Sequence, residues 1–233
     1  MLRHAQICTN TTEFEEARVV TFLNPYSLLK IFESSVSLNT FDKIGIDGIA
    51  LKIFFELVYR DKKIERLSFD FTSIANLVFE QAATKKETGF ILGSDQNSNE
   101  RFLKKITDMY PGIDLDGRSG YFDNDQEMSN FLKSLTESKP DFIIVGMGAV
   151  KQEEAAITLM NLGFTGRIYT CGGFIHQTAS SATKSYYYPN WIDKCNLRFA
   201  YRMYKEPSTV RRYLVDYPKA FFWLIRNTEK FKN

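Results

Sequence analysis

Histidine is nearly absent from this chain: His4 and His176 are the two among 233 residues. A zinc centre needs three or four ligands close together, and two isolated histidines do not supply one. Cysteine is equally sparse. Cys8, Cys171 and Cys195 are odd in number and widely spaced, which argues against a disulfide frame and for reduced thiols inside a cell. No apolar run approaches the roughly 20 residues that span a bilayer. The first twenty residues include Glu13, Glu15 and Glu16 and lack the apolar centre of a signal peptide. The expectation is a protein that stays inside the cell.

What is present agrees. Apolar residues make up 44% and charged residues 25%, the balance of a soluble globular protein rather than a disordered one. The net charge of +2 conceals an asymmetry. Residues 189–233 hold ten Lys/Arg against four Asp/Glu, a balance of +6 that leaves −4 for residues 1–188. The same tail holds ten aromatics, among them Trp191, Phe199, Tyr201, Tyr204, Phe221, Phe222 and Trp223. Basic, aromatic helices suit either packing against the body or resting on an anionic lipid surface. Nucleic acid ranks last, because the body is acidic and no nucleic-acid motif occurs.

From residue 16 to 171 short apolar runs alternate with amphipathic stretches. Strands are expected at 17–23, 42–47, 88–93, 113–117, 141–146 and 166–171, and helices at 26–37, 49–60, 72–86, 97–109, 124–138 and 151–162. That alternation predicts an α/β fold, a Rossmann-like, mostly parallel sheet with helices on both faces. After residue 188 the strand pattern stops. Two or three short helices follow, with Pro207 placed to open one and Pro218 to end it or open the next. The expected division is an α/β body over 1–188 and a basic, aromatic helical appendage over 189–233.

Four strand-to-helix turns carry glycine: Asp47-Gly48, Leu92-Gly93-Ser94, Gly146-Met-Gly148 and Cys171-Gly172-Gly173. In a parallel sheet all of them emerge at the carboxyl edge, where ligands bind. The third runs into a helix opening on Lys151-Gln152-Glu153, whose free N–H groups suit an anion such as phosphate. It lacks the third glycine of a dinucleotide fingerprint and the Walker pattern is absent, so a classical dinucleotide cofactor is not expected. Lys151 and Gln152 are placed to touch a phosphate or a base; a plain helix start capped by Glu153 is the equal alternative. Asp47 is either a general base at a strand end or a cap for the helix beginning at Ile49. Asp114/Asp116 and Asp123/Asp125 have the alternate-carboxylate spacing that can hold a divalent ion, a spacing common by chance, and no metal is expected. His176 follows the Gly172-Gly173 turn and is a candidate pocket residue.

Several stretches, in order, then resemble one family. Thr21-Phe-Leu-Asn24-Pro25, Asp47-Gly48, Glu65-Arg66-Leu67, Ile91-Leu92-Gly93-Ser94 and Tyr110-Pro111-Gly112 with Gly120-Tyr121-Phe122 are similar to motifs of the WecG/TagA/CpsF bacterial glycosyltransferases, family 26. Gly148-Ala-Val150-Lys-Gln152-Glu153 resembles the family's Gly-x-Pro-x-Gln-Glu, with Val for Pro. Leu197-Arg198-Phe199-Ala-Tyr-Arg202, Glu206-Pro207 and Arg212-Tyr213 resemble its ending.

The resemblance implies inverting transfer of an N-acetylmannosamine-type sugar or a hexose from a UDP-sugar to a polyprenyl-diphosphate-linked acceptor. The setting it implies is the inner membrane face, in teichoic acid, common antigen or capsule synthesis, without a metal. Asp47 would be the base. Thr21, Asn24, Arg66, Gly148, Gln152, Gly172 and His176 would serve the donor, and Arg202 and Arg212 the diphosphate side, brought in by a tail that touches the membrane. Where the family has Gly-Ala-Phe-Asp this chain has Gly173-Phe-Ile-His176. Beyond Arg66 it has Phe69 and a shifted Asp70, and before the tail Tyr187-Tyr188-Pro189 in place of Arg-Ala-Pro. These departures leave open a non-catalytic nucleotide-sugar-binding subunit of a polysaccharide assembly complex. A homo-oligomer is also compatible with the aromatic tail.

Overall fold

The apolar run Val19–Leu23 (β1) is buried at every position, as a central strand of a covered sheet must be. Asn24 ends it and opens α1 (Pro25–Phe32). Its Oδ1 accepts the Ser27 N–H at 3.0 Å, and Pro25 takes the first helical position, where a missing N–H costs nothing. The chain then alternates through β2 (Lys43–Ile46), α2 (Ile49–Val58), α3 (Ala75–Lys85), β3 (Thr88–Gly93), α4 (Gln96–Met109) and β4 (Asp114–Arg118). It continues with α5 (Asp125–Ser138), β5 (Phe142–Gly146), α6 (Lys151–Asn161), β6 (Arg167–Thr170), α7 (Phe174–Ser180), α8 (Arg198–Lys205) and α9 (Tyr217–Arg226). The computed structural model describes residues 6–14, 16–60, 63–181, 192, 195 and 197–231. His4, Tyr187, Tyr188, Trp191 and the expected boundary between residues 188 and 189 lie outside them.

All six strands pair in parallel, in the order β2-β1-β6-β5-β3-β4. The period-2 alternation of strand side chains sorts the core into two layers. Leu23, Ile143, Val145 and Ile168 face α1, α2, α5 and α6, while Val20, Phe22, Ile144 and Tyr169 face α3, α4 and α7. Helices therefore cover both faces, as the alternation predicted.

The differences are local. The helix expected over 26–37 stops at Phe32; residues 33–37 are turn and irregular chain, and a 3-10 turn at Leu38–Thr40 follows. The helix expected from residue 72 starts at Ala75, because Asp70 organises a turn first: its Oδ1 accepts the Thr72 N–H at 2.8 Å and its carbonyl the Ser73 N–H at 3.0 Å. Helix α7 was not among the expected helices. In the tail Pro218 does open α9, whereas Pro207 opens only a 3-10 turn.

Packing at the strand ends is tight enough to test. Gly93 has φ +153°, and a Cβ there would lie 2.4 Å from the Gly146 carbonyl oxygen and 2.8 Å from its Cα. Those atoms are backbone of the paired strand β5, so no side chain can swing aside. Gly93→Ala is expected to lower stability by about 3 kcal/mol, roughly 6–12 °C in Tm for a chain of this size. Gly163→Ala, at φ +89° with nothing within 4 Å of the new Cβ, should cost only about 1–2 kcal/mol of backbone strain. Thermal unfolding of the two variants side by side checks both.

Candidate active site

A cavity of about 1260 Å³ opens above the carboxyl edge of the sheet, and all six strand ends reach it. Asn24 follows β1, Asp47 β2, Ser94 β3, Gly120 β4, Gly146 and Gly148 β5, and Cys171 to Gly173 β6. The four glycine turns thus converge as the topology requires. Two further walls close it. Arg66, Ser68, Asp70 and Thr72 come from the irregular stretch between α2 and α3, and Arg198, Arg202, Arg212, Tyr213 and Tyr217 come from the C-terminal helices.

Three carboxylates line this cavity among the described residues, and their surroundings separate them. Asp70 is saturated: Arg66, Arg198, Ser68 and both donors of Thr72 contact its two oxygens. Asp95 caps α4, and the Ser98 hydroxyl and N–H lower its carboxyl to about 2, too weak to accept a proton near neutrality. Among the described residues the Asp47 carboxylate meets one side-chain partner, the Arg66 Nε at 3.3 Å, and its side chain is 36% exposed. It follows β2 directly and precedes Gly48, whose φ of +101° turns the backbone into α2. Gly48, not Asp47, is the cap of that helix. Of the two readings open for Asp47, the cap is not formed, and the side chain lines the cavity.

The opposite wall is the N-terminus of α6. Gln152 is almost completely buried, with its Oε1 accepting the Gly172 N–H at 3.0 Å and its Nε2 donating to Glu153 Oε1 at 2.8 Å. Glu153 Oε2 accepts the Val150 N–H at 2.8 Å, so the expected self-capping is real. Burial pushes the Glu153 carboxyl up, against hydrogen bonds from Gln152, Thr21 and Val150 that favour the charged form. Val150 sits at φ +74°, ψ −58°, a γ-turn conformation rare for a β-branched residue. Such strain is maintained only where the surroundings hold it, and its neighbours Ala149 and Lys151 line the cavity.

One expected donor residue is placed differently. Thr21 is fully buried and does not line the cavity. Its hydroxyl donates to Glu153 Oε1 at 2.9 Å and meets Thr170 Oγ1 at 2.8 Å, one layer beneath Gln152. The period of β1 explains this: Thr21 shares the face of Val19 and Leu23, turned toward α6, while Asn24, past the strand end, reaches the cavity. The remaining candidates, Asn24, Arg66, Gly148, Gln152, Gly172, His176, Arg202 and Arg212, all line it. His176 sits at the rim, Nδ1 3.3 Å from Ser98 Oγ. The Arg212 guanidinium stacks 4.5 Å above the Tyr26 ring. Asp114, Asp116, Asp123 and Asp125 lie outside the lining.

Ser68, Asp70, Asp95, Tyr213 and Tyr217 were not singled out as site residues. Burial pushes both tyrosine phenols up, so they offer O–H groups and not phenolates. Burial likewise raises the Cys171 thiol to about 12, far from a nucleophilic thiolate. Phe69 is buried among Phe22, Phe79, Tyr169 and Phe174, so its bulk joins the aromatic core under the site.

The comparisons with known proteins agree with this geometry. The chain is 41% identical over 202 residues to a UDP-Gal:alpha-D-GlcNAc-diphosphoundecaprenol beta-1,4-galactosyltransferase of Shigella boydii, covering 86% of this chain and 83% of the relative. It is 30% identical over 113 residues to an N-acetylglucosaminyldiphosphoundecaprenol N-acetyl-beta-D-mannosaminyltransferase of Staphylococcus aureus (strain MRSA252), 48% of this chain and 42% of the relative. The model of the glycosyl transferase WecG/TagA/CpsF family matches residues 2–233. A parallel sheet with a cavity at its carboxyl edge, lined by an available carboxylate and several arginines, is thus that of a glycosyltransferase, and the chain belongs to the WecG/TagA/CpsF family.

Proposed function

We propose that the protein transfers a sugar from a UDP-sugar to a polyprenyl-diphosphate-linked sugar acceptor, with inversion, in cell-surface polysaccharide synthesis. The observation that carries this reading is Asp47, held 3.3 Å from Arg66 at the cavity edge while Asp70 and Asp95 are otherwise engaged. Asp47 takes the proton of the acceptor hydroxyl as its oxygen bonds the anomeric carbon. On the opposite face of the sugar the bond to the diphosphate breaks and UDP departs. Arg66, Arg202, Arg212 and the N–H groups opening α6 offset the charge that develops there. Gln152 and the Gly148 and Gly172 turns form the donor side, with His176 at its rim.

The relatives named above act on diphosphoundecaprenol-linked N-acetylglucosamine, which supports an acceptor of that class. The same support favours galactose or N-acetylmannosamine as the sugar. No helix among the described residues is long and apolar enough to cross a membrane. In this reading the tail rests on the inner membrane surface instead. Leu214, Phe222 and Ile225 are each more than 60% exposed, and Lys219 and Arg226 are exposed beside them, the composition of an interfacial helix.

The test is UDP release from a panel of UDP-sugars, with and without a short-chain lipid-diphosphate N-acetylglucosamine acceptor. Acceptor-dependent release from one donor is expected. Binding of UDP with no release from any donor would point to a non-catalytic subunit. The reading includes no metal cofactor, so EDTA should leave turnover unchanged, and loss that is restored by a divalent ion would refute that part.

A further inference from the structure

Asp70 lies where the body meets the C-terminal helices. Its Oδ2 accepts from Arg66 Nη2 at 3.1 Å, from Arg198 Nη1 at 2.8 Å and from Ser68 Oγ at 2.7 Å. Arg198 Nη2 donates in addition to Thr72 Oγ1 at 2.7 Å. Arg66 in turn reaches Asp47 through Nε. Carboxylates and guanidiniums therefore alternate along one chain: Asp47, Arg66, Asp70, Arg198. The side chains of Asp70 and Arg198 are 23% and 18% exposed, withdrawn enough from water for charge-assisted bonds to count for more than an exposed pair. Burial alone would raise the Asp70 carboxyl, yet Arg66 and Arg198 hold it below its usual range.

Arg198 is the first residue of α8, and Arg202 stands one turn further along the same helix face. Arg202 lines the cavity and pairs with Glu206 at 3.0 Å. Whatever fixes Arg198 on the body fixes the direction of Arg202. The bonds from Arg198 to Asp70 and Thr72 tie the start of α8 to the α/β body.

We propose that Asp70 is a positioning residue. Through Arg198 it latches α8 onto the body and carries Arg202 into the cavity wall, and through Arg66 it shares the guanidinium that also faces Asp47. What Arg202 and Asp47 then do rests on the transferase reading; the latch itself does not.

The experiment uses the full chain as wild type, Asp70→Asn, Arg198→Ala and Arg198→Lys, with two readouts. The first is limited digestion by chymotrypsin, which cuts after aromatic residues such as the exposed Phe199 and Tyr204 of α8. A latch predicts cleavage in α8 about tenfold faster for Asp70→Asn and Arg198→Ala, with much of the protection kept by Arg198→Lys and body cleavage unchanged. The second is acceptor-dependent turnover. There kcat should fall about tenfold in Asp70→Asn, and Arg202→Ala should add little in that background, since the two then remove the same contact. Cleavage of α8 at the wild-type rate in Arg198→Ala overturns the proposal, and so does full additivity of Asp70→Asn with Arg202→Ala. Arg198→Ala decides the matter even if Asp70→Asn misfolds, because it leaves the body's own Asp70 turn in place. A wild-type chain without turnover would count against the transferase reading, and the cleavage rates would still decide the latch.

Discussion

Asp47→Asn is expected to lower acceptor-dependent turnover by about 10²–10⁴, the range that general base catalysis contributes. The amide keeps the size of the carboxylate and gives up only the charge of the ion pair with Arg66 Nε at 3.3 Å. The backbone anchor, the Asp47 N–H to Leu23 carbonyl bond at 2.7 Å, does not involve the side chain. Fold and cavity should therefore survive, and UDP should bind with nearly the wild-type Kd. What the amide cannot do is take a proton. Measuring kcat and the UDP Kd on the same preparation separates the two effects. Wild-type turnover in the variant would assign the base elsewhere, and neither Asp70 nor Asp95 is a free alternative, given their bonded oxygens.

Phe231→Ala is expected to cost much of the stability that holds the tail to the body. The ring is 1% exposed and lies against four others: Phe32 at 5.7 Å, Phe54 at 6.1 Å, Phe55 at 5.6 Å and Trp223 at 6.3 Å between centroids. Phe32 belongs to α1, Phe54 and Phe55 to α2 and Trp223 to α9. One side chain therefore holds the end of the tail to two helices of the body. Truncating a buried phenylalanine costs about 3–5 kcal/mol. Because Trp223 stacks at 4.6 Å on Phe32 beside it, the loss should spread to α9 and with it to the cavity wall that Arg212, Tyr213 and Tyr217 build. The expected result is a melting transition lower by roughly 6–20 °C, or a separate early transition of the tail, with turnover reduced in either case. A single unchanged transition would show that the tail is held by contacts other than this cluster.

That cluster bears on the two readings left open for the tail. Phe221 and Trp223 pack against the core, while Phe222 and Ile225 stay exposed. Burial and exposure divide the aromatic helix between its faces, so packing against the body and contact with a lipid surface are compatible.

Much of this was determined by the sequence on its own. Short apolar runs alternating with amphipathic stretches placed six strands and most of the helices, because strands buried on both faces of a parallel sheet read as near-continuous apolar runs. Glycine at four strand ends marked the cavity edge, since all such turns leave a parallel sheet on one side. Short motifs in order sufficed for the family. Local pattern could not settle which side chains meet across elements far apart in sequence. Thr21 has the chemistry of a ligand contact, yet its strand position buries it beneath Gln152. Asp70 looked like a displaced motif residue until the tail brought Arg198 to it across 128 positions. Phe231 carries no local signal of burial, and only the return of the chain over α1 and α2 encloses it. Hydrogen bonds and ring contacts between distant segments depend on how the layers stack, so tertiary structure alone decided them.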